Sequence, residues 1–196
     1  MFLKYFSFNA QKGALKILIK KICSIESVGD VRMKIGIISD THDRLPFIDK
    51  AIEEMNKERV DLVLHAGDYC APFAAFRFKP LKAKMIGVLG NNDAERELLR
   101  RNFSEIGVDI RGRFAEIKAD GVKIALLHGD EEELLNSIIN TKFYDVVVYG
   151  HTHHPEVKRR NGVLIVNPGE VCGYLTGEAT IGILDTKTKD ATIIRI

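Results

Sequence analysis

From Met33 onward the chain repeats one pattern: a short apolar run, then a residue of the kind that binds metals or phosphates. Residues 34–38 run into Ser39-Asp40-Thr41-His42-Asp43, and 61–64 into His65-Ala66-Gly67-Asp68. Residues 84–89 run into Gly90-Asn91-Asn92-Asp93, 122–127 into His128-Gly129, and 145–149 into Gly150-His151-Thr152-His153. Apolar runs of this length read as buried strands. In open α/β sheets, ligand sites form outside the carboxyl ends of strands. The pattern therefore sets five strand ends around one place.

Between these runs, apolar residues at helical spacing predict helices over 46–58, 94–106 and 131–140, with a short one over 72–79. Residues 114–118 and 122–127 flank Ala119-Asp120-Gly121, a hairpin signal. Further strands are expected over 163–166, 180–185 and 191–194. The first half is β-α-β-α-β-α and the second mostly strands. Two mixed sheets with helices outside accommodate that order.

Composition narrows the class. The chain has 196 residues, 45% of them hydrophobic, enough to build a core without disulfides. Cys23, Cys70 and Cys172 show no CxxC spacing, which points to a reducing, cytoplasmic setting. No apolar run approaches the ~20 residues that span a bilayer. A net charge of +2 gives no indication of a nucleic-acid partner. Residues 1–32 differ from the rest. They are basic and aromatic, with an amphipathic stretch over 14–22. They are expected to be an N-terminal extension, either a flexible tail or a product of start-site choice, and 33–196 the folded domain.

The polar residues have a chemical logic of their own. Asp40 and His42 are two apart, as are His151 and His153, and i, i+2 residues of an extended segment point to one side. Gly67, Gly90 and Gly150 each precede a candidate ligand, where a sharp turn needs a residue without a side chain. Carboxylate, imidazole and amide donors together suit borderline divalent ions.

In this order and spacing, Asp40-x-His42, Gly67-Asp68, Gly90-Asn91, His128 and Gly150-His151-x-His153 resemble the signature of the calcineurin-like metallophosphoesterases. The similarity is greatest to the small, single-domain prokaryotic phosphodiesterases. It runs from Met33 to the C-terminus and includes Asn167-Pro168-Gly169. The resemblance implies an α/β fold, a four-layer αββα sandwich. It also implies two divalent metal ions, with manganese or nickel favoured and cobalt, iron, zinc or magnesium as alternatives. Asp40, His42 and His153 would hold the first ion, Asp68 would bridge both, and Asn91, His128 and His151 would complete the second site. A water bridging the ions would become the nucleophile toward a small phosphate-diester substrate.

Two positions depart from the family pattern. Asn92 stands where the family commonly has a histidine that assists the leaving group. An amide can contact the phosphate or transition state but cannot act as a general acid, so good leaving groups should be preferred. Asp130 stands where relatives often have another histidine. The family also implies alternatives: a phosphomonoesterase, a nuclease, or the non-catalytic protein-binding scaffold of the eukaryotic retromer coat. A homo-oligomer is compatible with any of these.

Other residues have plainer expected roles. Asp43 and Asp93 are expected to cap helices, with Asp93 also able to orient a ligand. Asn167-Pro168-Gly169 should be a turn near the site, His65 a structural residue or one that supports a ligand from behind, and Tyr174 and Thr176 part of the entrance. Arg111, Arg113, Lys158, Arg159 and Arg160 read as solvated loop charges.

Overall fold

The computed structural model describes residues 32–196. The amphipathic stretch expected over 14–22, and all of the expected extension except Arg32, lie outside the described residues. Arg32 itself pairs with Asp185 at 2.5 Å.

Eleven strands and three α-helices are described. One sheet has the order β11-β10-β1-β2-β3-β4. It comprises β1 (Lys34–Ile38), β2 (Leu62–His65), β3 (Lys84–Gly87), β4 (Asp109–Ile110), β10 (Thr180–Asp185) and β11 (Asp190–Arg195). The other has the order β5-β6-β7-β9-β8. It is built from β5 (Phe114–Ala119), β6 (Val122–Leu127), β7 (Val146–Val148), β8 (Glu156–Arg160) and β9 (Val163–Asn167). Both sheets mix parallel and antiparallel pairs.

Burial follows from the sequence of each strand. Residues on one face of β1, β2, β6, β7 and β9, such as Ile37, Leu64, Ile124, Val148 and Val166, meet in a core between the sheets. Those on the opposite face of the first sheet pack under α1 (Leu45–Glu58), α2 (Arg96–Glu105) and the 3₁₀ helix Pro72–Phe78. Those on the outer face of the second sheet pack under α3 (Glu132–Thr141). The layers are helix, sheet, sheet, helix. A strand buried on both faces reads as a continuous apolar run, which is why these five runs were visible.

The parallel arrangement fixes the site. Strands β1, β2 and β3 are in parallel register, with Ile38 beside His65 and His65 beside Gly87. Strands β6 and β7 are parallel in the other sheet, with Leu126 beside Val148. Their carboxyl ends therefore release their loops from matching levels.

Strands β4 and β8 were not visible in the sequence. The first has only two residues. The second, Glu-Val-Lys-Arg-Arg, is an edge strand with exposed side chains, so no apolar period marks it. Lys158, Arg159 and Arg160 accordingly lie on a strand, not in a loop. The hairpin after β5 forms as expected: Asp120 and Gly121 both take positive φ, the geometry of a type I′ turn. Among the described residues, no helix is long and apolar enough to cross a membrane.

Leu64 has no exposed surface and sits in the core between the sheets. Leu64→Ala should lower the unfolding free energy by about 2–5 kcal/mol. Val157→Ala on the edge strand, where the side chain is 40% exposed, should change it by under about 0.5 kcal/mol. Urea denaturation of the two variants checks both.

Candidate metal centre

The loops that follow β1 and β2 are tied together residue by residue. Asp40 N–H donates to Gly67 O at 3.0 Å, Thr41 and His42 N–H to Asp68 O at 3.0 and 3.1 Å, and Asp43 N–H to Tyr69 O at 3.2 Å. This pairing bends both loops. Asp40 and His42 take φ of 53° and 37°, Asp68 60°, His151 65° and His153 62°. The two i, i+2 pairs are therefore not in extended segments, as the sequence suggested. They converge through left-handed turns, where the cost is of order 1–3 kcal/mol per residue. Such strain persists where the surrounding bonds over-determine it.

The turns bring the expected side chains together. His42 Nε2 lies 3.7 Å from Asp40 Oδ1 and 3.6 Å from Asp68 Oδ2. His153 Nε2 lies 3.4 Å from Asp40 Oδ1, and His128 Nε2 3.3 Å from Asp68 Oδ2. His128 Nε2 is also 3.0 Å from Asn91 Oδ1. The rings of His128 and His151 meet edge to face with centroids 5.2 Å apart, and those of His42 and His153 stack at 5.2 Å. The His151 N–H donates to Asp40 Oδ2.

The bonds behind these side chains set which atoms face inward. His153 Nδ1–H donates to Glu170 at 2.7 Å, and His128 Nδ1–H to the Ala66 carbonyl at 2.8 Å. Each ring then presents a bare Nε2 lone pair to a carboxylate. Lone pairs facing oxygen at this range need a proton or a cation between them. Asp40 Oδ1 and His42 Nε2 are buried with no hydrogen-bond partner among the described residues, and one ligand atom each from Asp40, His42 and Asp68 lie within 4.8 Å of one another. The residues present fit divalent cations.

Burial opposes a charge on His42, but the nearby Asp40 carboxylate and the contact with the Cys70 thiol outweigh it and push the imidazole up to about 10. Burial likewise opposes the charge on Asp68, yet the His128 ring and the Asn92 amide hold its carboxyl well below the usual range. Metal uptake must displace such protons.

Several residues do other work than expected. Asp93 caps no helix. Its carboxylate accepts from the N–H groups of Asp68, Tyr69, Cys70 and Gly90, locking the β2 and β3 loops together. Asp43 does not cap α1 either, since it accepts from Ala71 N–H. Asn92 donates from Nδ2 to Asp68 Oδ2 at 2.7 Å. His65 is fully buried and stacked on Tyr69. Its Nδ1 accepts from Gly67 N–H, so Nε2–H faces the Thr41 hydroxyl at 3.2 Å, a structural role as expected. Asn167 bonds Gly150 O and Thr152 and so shapes the turn carrying His151. Asp130 is paired with Arg113 at 2.5 Å, and Arg111 with Asp109, so these arginines are partnered.

Sequence reasoning missed Glu170. It is buried, and no lysine or arginine among the described residues is bonded to it. It accepts from His153, the Cys172 thiol, the N–H groups of Tyr174, Leu175 and Thr176, and the Thr176 hydroxyl. Thr176 thus anchors this carboxylate. A carboxylate behind a ligating histidine fixes its tautomer and orientation. The signal available was its place directly after Asn167-Pro168-Gly169.

Burial raises the Glu170 carboxyl, but those bonds bring it down to about 2 from 4.5. A depressed carboxyl stabilises the fold above its unfolded value, and that stability fades as pH falls toward 2. Glu170→Gln should cost about 2–4 kcal/mol at neutral pH through lost charge-assisted bonds. The gap should narrow below pH 4.5, as read by urea melts across pH.

The chain is similar to several known proteins. Phosphodiesterase MJ0936 of Methanocaldococcus jannaschii is 46% identical over 159 residues, covering 81% of this chain and 96% of that protein. The solved structure of a novel archaeal phosphodiesterase is 45% identical, with a TM-score of 0.80, over 84% of this chain and all of its own. Vps29 of Entamoeba histolytica, 21% identical over 84% of this chain and 98% of its own, shares the fold with a TM-score of 0.58. Residues 33–189 match the calcineurin-like phosphoesterase superfamily domain, and the chain belongs to that superfamily.

Proposed function

We propose that the chain is a divalent-metal-dependent phosphodiesterase acting on small phosphate diesters, with its domain over 33–196. The observation that carries this reading is the inward convergence of Asp40 Oδ1 and His42 Nε2, buried and without hydrogen-bond partners among the described residues. Family membership and a close relative named a phosphodiesterase support it. Free thiols at Cys70 and Cys172 support the cytoplasmic setting.

In this reading Asp40, His42 and His153 hold one ion, Asn91, His128 and His151 the other, and Asp68 contributes to both. Manganese or nickel suits the mixed oxygen and imidazole donors. When bound, the ions supply positive charge to phosphoryl oxygens and lower the pKa of water. The protein residues prepare that chemistry. Glu170 and the Ala66 carbonyl keep Nε2 of His153 and His128 bare for ligation. Asp93 holds the turn that aims Asp68. Asn92, whose amide donates one hydrogen to the Asp68 carboxylate, would offer its other hydrogen to a phosphoryl oxygen. It has no proton to give a departing alkoxide.

In the scaffold alternative part of the metal site has decayed, and all seven positions are present here. Metal-stripped protein should hydrolyse bis-p-nitrophenyl phosphate only after manganese or nickel is restored. Asp68→Asn should lower kcat/KM at least about a hundredfold, and the rate should fall steeply with rising leaving-group pKa. Turnover of p-nitrophenyl phosphate alone would make the protein a monoesterase, and no turnover with any metal would favour the scaffold.

A further inference from the structure

A cleft of about 330 Å³ opens beside the candidate centre, with His151 and Thr152 at its mouth. It lies between α3 and the edge strand β8. Leu135, Ile139, Tyr149 and Ile165 line it, giving an apolar floor. Strand β8 forms its wall. Glu156 is level with Asn167 at the site end, and Arg160 is level with Val163 at the far end. Glu156, Lys158 and Arg160 alternate onto one face, and all three line the cleft. At about 3.3 Å per residue, Arg160 stands roughly 13 Å along the strand beyond Glu156.

Charge is distributed unevenly along it. Asp130 at the mouth is neutralised by Arg113. Glu156 is bonded by Lys158 at 2.7 Å and by the Tyr149 hydroxyl at 2.8 Å. Glu132, also lining the cleft, has no cationic partner among the described residues. At the far end, Arg160 donates only to the neutral Asn136 Oδ1 at 3.0 Å, and no carboxylate pairs with it among the described residues. A guanidinium has five N–H donors, so most of this one remains available to an anion. The volume is that of a small-ligand site.

Resting on the phosphodiesterase reading, we propose that this cleft receives one ester arm of the substrate. The arm is apolar, about 10 Å long, and ends in a carboxylate or phosphate held by Arg160. The scissile phosphate stays at the mouth, beside His151. The cleft thus selects unsymmetrical diesters with a second, distant negative charge.

Two substrates test this on the manganese-loaded full chain: p-nitrophenyl ω-carboxyoctyl phosphate and p-nitrophenyl octyl phosphate. Both release p-nitrophenolate and differ only in the distal carboxylate group. The charged arm should have a kcat/KM about tenfold higher, through KM. Arg160→Gln should erase that preference, and Arg160→Lys should keep part of it. An equal ratio of the two substrates in wild type and Arg160→Gln would overturn the proposal. Calorimetry with ω-carboxyoctyl phosphate gives a readout without turnover, with binding about tenfold weaker in Arg160→Gln expected and unchanged binding against it. Absence of bis-p-nitrophenyl phosphate hydrolysis in wild type would instead sink the phosphodiesterase reading, while the calorimetry still decides the cleft.

Discussion

Two buried carboxylates govern this structure. Asp40 and Asp68 are 0% and 1% exposed and, among the described residues, have no lysine or arginine bonded to them. Isolated anions in a protein interior are costly unless paired with cations. Here imidazole nitrogens surround them, turned inward by bonds to Glu170 and Ala66 on their far sides. An environment that gathers acidic oxygens and bare imidazole nitrogens is poor for stability and well suited to divalent metals. The rest of the fold can be understood as holding that arrangement against its own repulsion.

The holding is done mostly by backbone. The β1 loop pairs with the β2 loop from Asp40 to Asp43, and Asp93 gathers N–H groups from the β2 and β3 loops. Gly90 shows how close this packing is: a Cβ there would lie 2.1 Å from Asp68 Oδ1 and 2.7 Å from its N. At Gly150 a Cβ would meet Ser39 Oγ at 1.9 Å. The glycines before the ligands are there for close approach between loops. The helices and the two-sheet core supply rigidity behind them, so that five left-handed residues can be kept in place.

Much of this was legible in the sequence, for a physical reason. Strands buried on both faces, such as β2 and β7, have no room for polar residues, so each Asp, Asn or His at their ends stood out. The two mixed sheets followed from that contrast, and the family resemblance carried by those strand ends implied the seven candidate ligands. The local geometry did not. Whether Asp40 and His42 meet through an extended segment or a left-handed turn depends on hydrogen bonds to residues 67 and 68, far along the chain. Asp43 and Asp93 looked like caps because local spacing cannot reveal a bond to Ala71 or to Tyr69. Glu170 was hidden because nothing in its neighbourhood announces that His153 lies against it. Arg160 read as a loop charge because an edge strand with exposed side chains carries no apolar rhythm.

The central claim is that seven side chains hold two ions that share Asp68. Low-temperature electron paramagnetic resonance of the protein titrated with manganese addresses it directly. The account predicts a spin-coupled multiline spectrum once two equivalents are bound, replaced by isolated six-line signals in Asp68→Asn. Isolated six-line signals from wild-type protein at every loading would contradict it.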